Sequence, residues 1–139
     1  MAEFPKKLVA VLNEKVEIGK AMNTLGYMTL GLGANVENKE ELRFADYKDK
    51  DGNSHDKISE MPFMVLKANS NKIRMLRKAA LANNIDFVDF TDTMTIGTYE
   101  EQIKRTAETN EEALEYYGII LFGDWNLVTE LTKKFSLWK

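Results

Sequence analysis

The residues best placed to do chemistry fall into two short segments. The first runs Asp89-Phe90-Thr91-Asp92-Thr93-Met94-Thr95, two acids and three threonines at the end of a strand-like run. Loops that leave strand ends often carry binding groups, because a rigid scaffold positions them. A carboxylate there can orient a water, and a threonine hydroxyl can donate to a substrate carbonyl. Asp and Thr side chains also satisfy free backbone groups, so the same segment reads as a capping and turn network. The second segment is Gly19-Lys20, at the start of a long helical pattern. A lysine just after a first strand lies near the sheet rim where α/β proteins bind ligands. Its ammonium could stabilise an oxyanion or bind phosphate; a solvated helix-start lysine is the plain alternative.

The helix that follows holds Gly19, Gly26, Gly31 and Gly33. Each interior glycine costs about 1 kcal/mol against alanine. Gly19, Asn23, Gly26 and Gly33 share one face, and Lys20, Thr24 and Tyr27 form another stripe. The glycine face reads either as tight packing, against the sheet or a partner subunit in an expected homodimer, or as a ligand surface. Gly31-Leu32-Gly33 is no dinucleotide fingerprint: it lacks the third glycine and sits at the wrong end of the helix.

Composition excludes several chemistries. The 139 residues contain no cysteine and a single histidine, His55. Disulfides, thiol catalysis, Cys-based metal sites and multi-histidine metal sites are ruled out within one chain. No metal and no cofactor are expected. His55 lies in the polar stretch Asp49–Asp56 and reads as a solvated loop residue. The start Met1–Lys7 lacks the apolar core of a signal peptide, and the most apolar helical stretch, Thr24–Val36, is too short to cross a bilayer. A cytoplasmic protein with no membrane contact is expected, which the lack of cysteine fits.

The elements that must hold these residues follow from periodicity. Leu8–Leu12 is a short apolar run in the manner of a central strand. A helix is expected from about Glu17 to Val36, with Ile18, Met22, Leu25 and Leu32 at helical spacing. Leu42–Tyr47 alternates as a half-exposed strand. Asp51-Gly52 marks a turn, and Pro62–Lys67 is another strand. Ser70 is the expected cap of a helix over Asn71–Asn83. Strands follow at Asp86–Phe90 and Tyr116–Gly123, then a helix from Trp125 capped by Asp124. Residues 99–115, with six Glu against Lys104 and Arg105, read as an acidic helical insertion in one domain spanning 1–139. This order predicts an α/β fold, a three-layer α/β/α sandwich around a mixed central sheet.

Net charge is −3, divided as +3 over residues 1–85 and −6 over 86–139. Phosphate neutralisation supplies most nucleic-acid affinity, so an acidic chain is a poor general binder. A local basic patch remains at Lys72, Arg74, Arg77 and Lys78.

Three segments carry a resemblance. Gly26–Ala34, Pro62–Ala68 and Gly118–Gly123 resemble, in order, the bacterial domain-of-unknown-function 2000 family, whose fold looks like type II peptidyl-tRNA hydrolase. Those enzymes cleave the ester between a stalled peptide and tRNA. Their Gly-Lys pair matches Gly19-Lys20, and their Asp followed four positions later by Thr matches Asp89 and Thr93. The resemblance therefore implies a catalytic set of Lys20, Asp89 and Thr93; the glycine face of the first helix and the threonine loop add Gly19, Asn23, Thr91 and Thr95 as expected ligand contacts. The chain departs from the pattern where the enzymes carry a Gln and a Ser-His pair: it has Met22, Asn23 and Thr24, then glycines. With the acidic insertion, these departures favour a domain that binds or responds to a small ligand over an ester- or amide-cleaving hydrolase, and argue against tRNA binding.

Overall fold

The run Leu8-Val9-Ala10-Val11-Leu12 is apolar at every position, so it suits a strand covered on both faces. In the computed structural model, which describes residues 4–139, this run lies in β1 (Lys6–Asn13), and Val9, Ala10 and Val11 are wholly buried. The chain continues as α1 (Ile18–Asn35), a 3-10 turn at Lys39–Leu42, β2 (Phe44–Lys48), β3 (Ser54–Ser59), β4 (Phe63–Ala68) and α2 (Ser70–Ala82). Then come β5 (Asp86–Thr91), α3 (Tyr99–Ala107), β6 (Tyr116–Asp124), α4 (Trp125–Thr132) and β7 (Ser136–Leu137).

Five strands form a mixed sheet in the order β5-β6-β1-β4-β7. β1 pairs parallel with β4, and β6 runs antiparallel to both β1 and β5. The alternation of side chains divides the core in two. Leu8, Ala10, Leu12, Phe90, Ile120 and Phe122 meet Ala21, Met28 and Leu32 of α1. Val9, Val11, Ile119 and Leu121 meet Ile73, Leu76 and Ala80 of α2 and Val128 of α4 on the other face. Gly118 lets α1 lie close to β6: a Cβ there would stand 2.9 Å from Met28 Cε and 3.0 Å from Leu12 Cδ2.

β2 and β3 form a separate two-stranded hairpin. The sequence shows the Asp51-Gly52 turn, and Gly52 takes a φ of 88°. β3 departs from expectation, because Ser-His-Asp-Lys-Ile-Ser is exposed along most of its length and lacks alternation. His55 therefore sits on a strand, still exposed, with Nε2 3.0 Å from Asp49 Oδ2. The α2 cap also differs: Asn69 Oδ1 accepts from the Lys72 amide at 2.9 Å, while Ser70 Oγ accepts from the Tyr116 amide at 2.8 Å. Asp124 caps α4 as its position predicts, accepting from the Leu127 amide at 3.0 Å. No helix among the described residues is long and apolar enough to cross a membrane.

Candidate functional site

β5 ends in an irregularity between Phe90 and Thr91, and the chain turns into a short 3-10 segment at Asp92–Met94. The hydroxyls there are tied to one another. Thr91 Oγ1 lies 2.7 Å from Thr93 Oγ1, which lies 2.8 Å from Thr106 Oγ1 of α3. Thr91 and Thr93 are buried. Thr95 donates to the Asp92 carbonyl at 2.7 Å, and Asp92 Oδ1 accepts from the Glu115 amide at 3.1 Å. Arg105 donates to the carbonyls of Thr93 and Ile96 at 3.1 and 2.9 Å. These bonds are those of a turn network that docks α3 onto the end of β5.

Asp89 lies on the α2 face of β5, the face opposite α1. Its Oδ2 accepts from Arg77 Nε of α2 at 2.9 Å, and only 17% of the Asp89 side chain is exposed. Burial works to lower the Arg77 pKa, but the hydrogen bond and charge of Asp89 outweigh it and raise it. Lys20 is exposed in the first turn of α1. The ends of β1 and β5 do emerge at one edge, because both strands run antiparallel to β6. β6 separates them, however, and the pleat turns Asp89 away from the helix that carries Lys20. Lys20, Asp89 and Thr93 are thus not brought into one cleft.

Asn23 and Thr95 are brought together. They line a cleft of about 430 Å³ between α1 and the start of α3, with Tyr27, Phe90, Met94, Tyr99 and Gln102. The Tyr27 and Phe90 rings stack at 5.8 Å with planes 9° apart. Gln102 donates from Nε2 to the Gly97 carbonyl at 3.2 Å, and its Oε1 makes no hydrogen bond among the described residues. The Asn23 amide makes no hydrogen bond among the described residues, and no charged side chain lines the cleft. Lys20 precedes Asn23 by three positions, so it sits one turn along the helix from the cleft.

Tyr99 and Gln102 are the contributors that sequence reasoning missed. Tyr99 is 75% exposed. The available signal was Thr98-x-x-Glu101. It forms a capping box, Thr98 Oγ1 accepting from the Glu101 amide at 3.2 Å and Glu101 Oε1 from the Thr98 amide at 3.1 Å. Those bonds hold the Glu101 carboxyl below its usual range and start α3 so that Tyr99 and Gln102 fall on one face.

Two further expectations can be placed. A Cβ on Gly19, Gly26 or Gly33 would meet nothing within 4 Å, and on Gly31 it would make ordinary contact with Val88. Packing against the chain's own sheet therefore does not account for the glycines of α1. The basic patch on α2 is largely neutralised: Arg74 pairs with Glu111 at 3.1 Å and Arg77 with Asp89. Among the described residues no group of three or more His, Asp or Glu could hold a metal.

A solved structure of a protein of unknown function, Atu0240 from Agrobacterium tumefaciens strain C58, superposes with a TM-score of 0.84. It is 19% identical, and the match covers 98% of this chain and 99% of that one. At that identity the likeness shows the fold alone. No curated protein matches the chain by sequence. The family model described as protein of unknown function DUF2000 matches residues 6–139, and the chain belongs to that family.

Proposed function

We propose that this protein is a small-ligand-binding domain, and that the cleft between α1 and α3 holds an uncharged, planar, polar molecule such as a heteroaromatic amide. One observation carries the reading: Asn23 presents an unbonded amide beside the stacked Tyr27 and Phe90 rings, in a cleft of about 430 Å³ without a charged lining. That volume lies in the range of ordinary small-molecule sites. Amide and ring faces bind a flat polar ligand by hydrogen bonds along its edge and stacking on its face. The architecture is taken as a three-layer α/β/α sandwich of the type II peptidyl-tRNA-hydrolase-like kind, supported by the two apolar clusters on opposite faces of the sheet. The 99–115 segment is taken as an insertion upon it. A cytoplasmic homodimer is the assembly proposed.

A hydrolytic use of Lys20, Asp89 and Thr93 would require Asp89 to leave Arg77 and reach the other face of the sheet. It would also require Thr93 to break out of its hydroxyl chain. Ligand binding requires neither. Thermal shift and calorimetry with nicotinamide, uracil and related neutral heterocycles test the reading. For a ligand that binds, Asn23→Ala should weaken affinity about fivefold, the value of one hydrogen bond, and leave the melting temperature of the free protein unchanged. Asp89→Asn should lose about 1 kcal/mol of stability, as expected of a partly exposed ion pair, and leave affinity unchanged. Affinity that ignores Asn23→Ala but collapses in Asp89→Asn would move the site to the other face.

A further inference from the structure

The opposite end of α1 holds a second cavity of different chemistry. It has a volume of about 420 Å³ and lies between the last turns of α1, the start of β4 and the β2–β3 hairpin. Leu8, Leu32, Leu42, Phe44, Ile58 and Phe63 give it apolar walls. Its two hydroxyl-bearing residues are already satisfied: Thr29 donates to the Leu25 carbonyl at 2.7 Å, and Ser59 to the Leu42 carbonyl at 2.6 Å. Lys57 is the remaining polar group and the one charge in the lining.

The neighbouring cations are engaged. Lys39 donates to the carbonyls of Gly33, Ala34 and Val36 at 2.6, 2.9 and 2.7 Å, closing the C-terminus of α1. Arg43 pairs with Glu60 at 3.2 Å. Lys57 has no ion pair among the described residues, and the acids closest to it in sequence, Asp56 and Glu60, are bonded to the Lys57 amide and to Arg43. An apolar cavity with one exposed lysine in its lining, free of any ion pair among the described residues, matches a molecule with an apolar body and one anionic end.

We propose that this groove binds a medium-chain amphipathic carboxylate, its chain between α1 and the hairpin and its carboxylate on Lys57. The hairpin then serves as the roof. Two strands alone are marginal in water, so an apolar chain beneath them supplies a core that the hairpin otherwise lacks. A second copy of the chain fits the groove less well. The hairpin beside it carries Asp46, Lys48, Asp49, Lys50, Asp51 and Asp56, all exposed, and interface centres are depleted of charge.

Gly33 lines the groove, and a Cβ added there meets nothing within 4 Å. Gly33→Leu should therefore fill the cavity without lowering the melting temperature. The experiment is calorimetry of the full chain with octanoate and with 1-octanol. Octanoate is expected to bind once per chain, about fivefold tighter than the alcohol, as befits an exposed charge pair. Lys57→Met should erase that preference and keep the alcohol's affinity, and Gly33→Leu should abolish both. If Gly33→Leu lowers the melting temperature, Lys57→Met alone decides. Absence of saturable octanoate binding would overturn the proposal. So would affinity unchanged in Lys57→Met or in a folded Gly33→Leu, or a ligand-free dimer in sedimentation that Gly33→Leu dissociates.

Discussion

Thr24 and Asn13 are both buried polar residues, and they stand in opposite positions. Asn13 Nδ2 donates to the Tyr116 carbonyl at 2.9 Å and its Oδ1 accepts from the Lys15 amide at 2.9 Å, so the side chain ties the end of β1 to β6 and to the turn before α1. Thr24 is fully buried under α1 with its hydroxyl unbonded, while its methyl packs where Gly118 leaves room. A buried hydroxyl without a partner carries its desolvation cost uncompensated. Thr24→Val keeps the shape and removes that cost. It should stabilise the protein by about 1 kcal/mol, read as a higher urea midpoint at unchanged slope. A loss of stability would mean that the hydroxyl has found a partner, such as an ordered water. Neither residue stood out in the sequence. Asn13 looks like any polar turn residue, and the stripe through Lys20 and Tyr27 carries Thr24 without marking it as buried.

At the scale of elements, the contrast is between pieces that carry their own signal and pieces defined by their neighbours. β1 is apolar from Leu8 to Leu12 and β6 at nearly every position, so their burial can be read directly, and the helical spacing of α1 predicts Ile18–Asn35 within a residue at each end. β3 has one apolar side chain, Ile58, and exists because β2 pairs with it across a tight turn. β7 is two residues long and forms only where the edge of β4 is available. The cleft between α1 and α3 belongs to the second kind. Asn23 and Thr95 were visible as candidates, but their meeting depends on how α3 docks, and α3 buries none of its residues. Its anchors are the Thr93–Thr106 contact and the Arg105 bonds to the Thr93 and Ile96 carbonyls, and the capping box holds its first turn. Thr98→Ala removes the cap at a cost of about 1 kcal/mol. The loss should appear locally, as roughly fivefold faster amide exchange in residues 99–107 and a matching loss of affinity in the cleft, with the global melt almost unmoved. A large fall in melting temperature would show that α3 is part of the cooperative core.

For the whole molecule, the segregation of charge along the chain is undone by folding. The acidic residues after α3 lie against the basic α2: Glu111 bonds both Arg74 and Tyr116, the latter at 2.7 Å, and Arg74 lies over the Tyr116 ring at 5.2 Å. Burial first, and the hydrogen bond to Glu111 second, push the Tyr116 hydroxyl up to about 12. The unfolded chain releases this proton near pH 10, before the folded chain does. The contribution of Tyr116 is therefore complete below pH 10 and is lost as pH rises through about 12, a fall of up to roughly 2–3 kcal/mol. The difference between wild type and Tyr116→Phe in urea midpoints across pH 9–12 isolates it from the lysines, and a pH-independent difference would contradict it. The same folding bears on RNA. Of the four cations on α2, Arg74 and Arg77 face their own carboxylates, which leaves Lys72 and Lys78 to meet phosphate beside a strongly acidic C-terminal third. Each phosphate contact releases a counterion, and a patch offering two free cations gains little from this. Binding to tRNA at about 0.15 M salt should be no tighter than nonspecific contacts, weaker than about 1 μM, with a shallow salt slope set by the few contacts made. A fluorescence titration giving sub-micromolar affinity with a steep salt slope would show a basic surface elsewhere on the molecule and would favour the hydrolase reading over ligand binding.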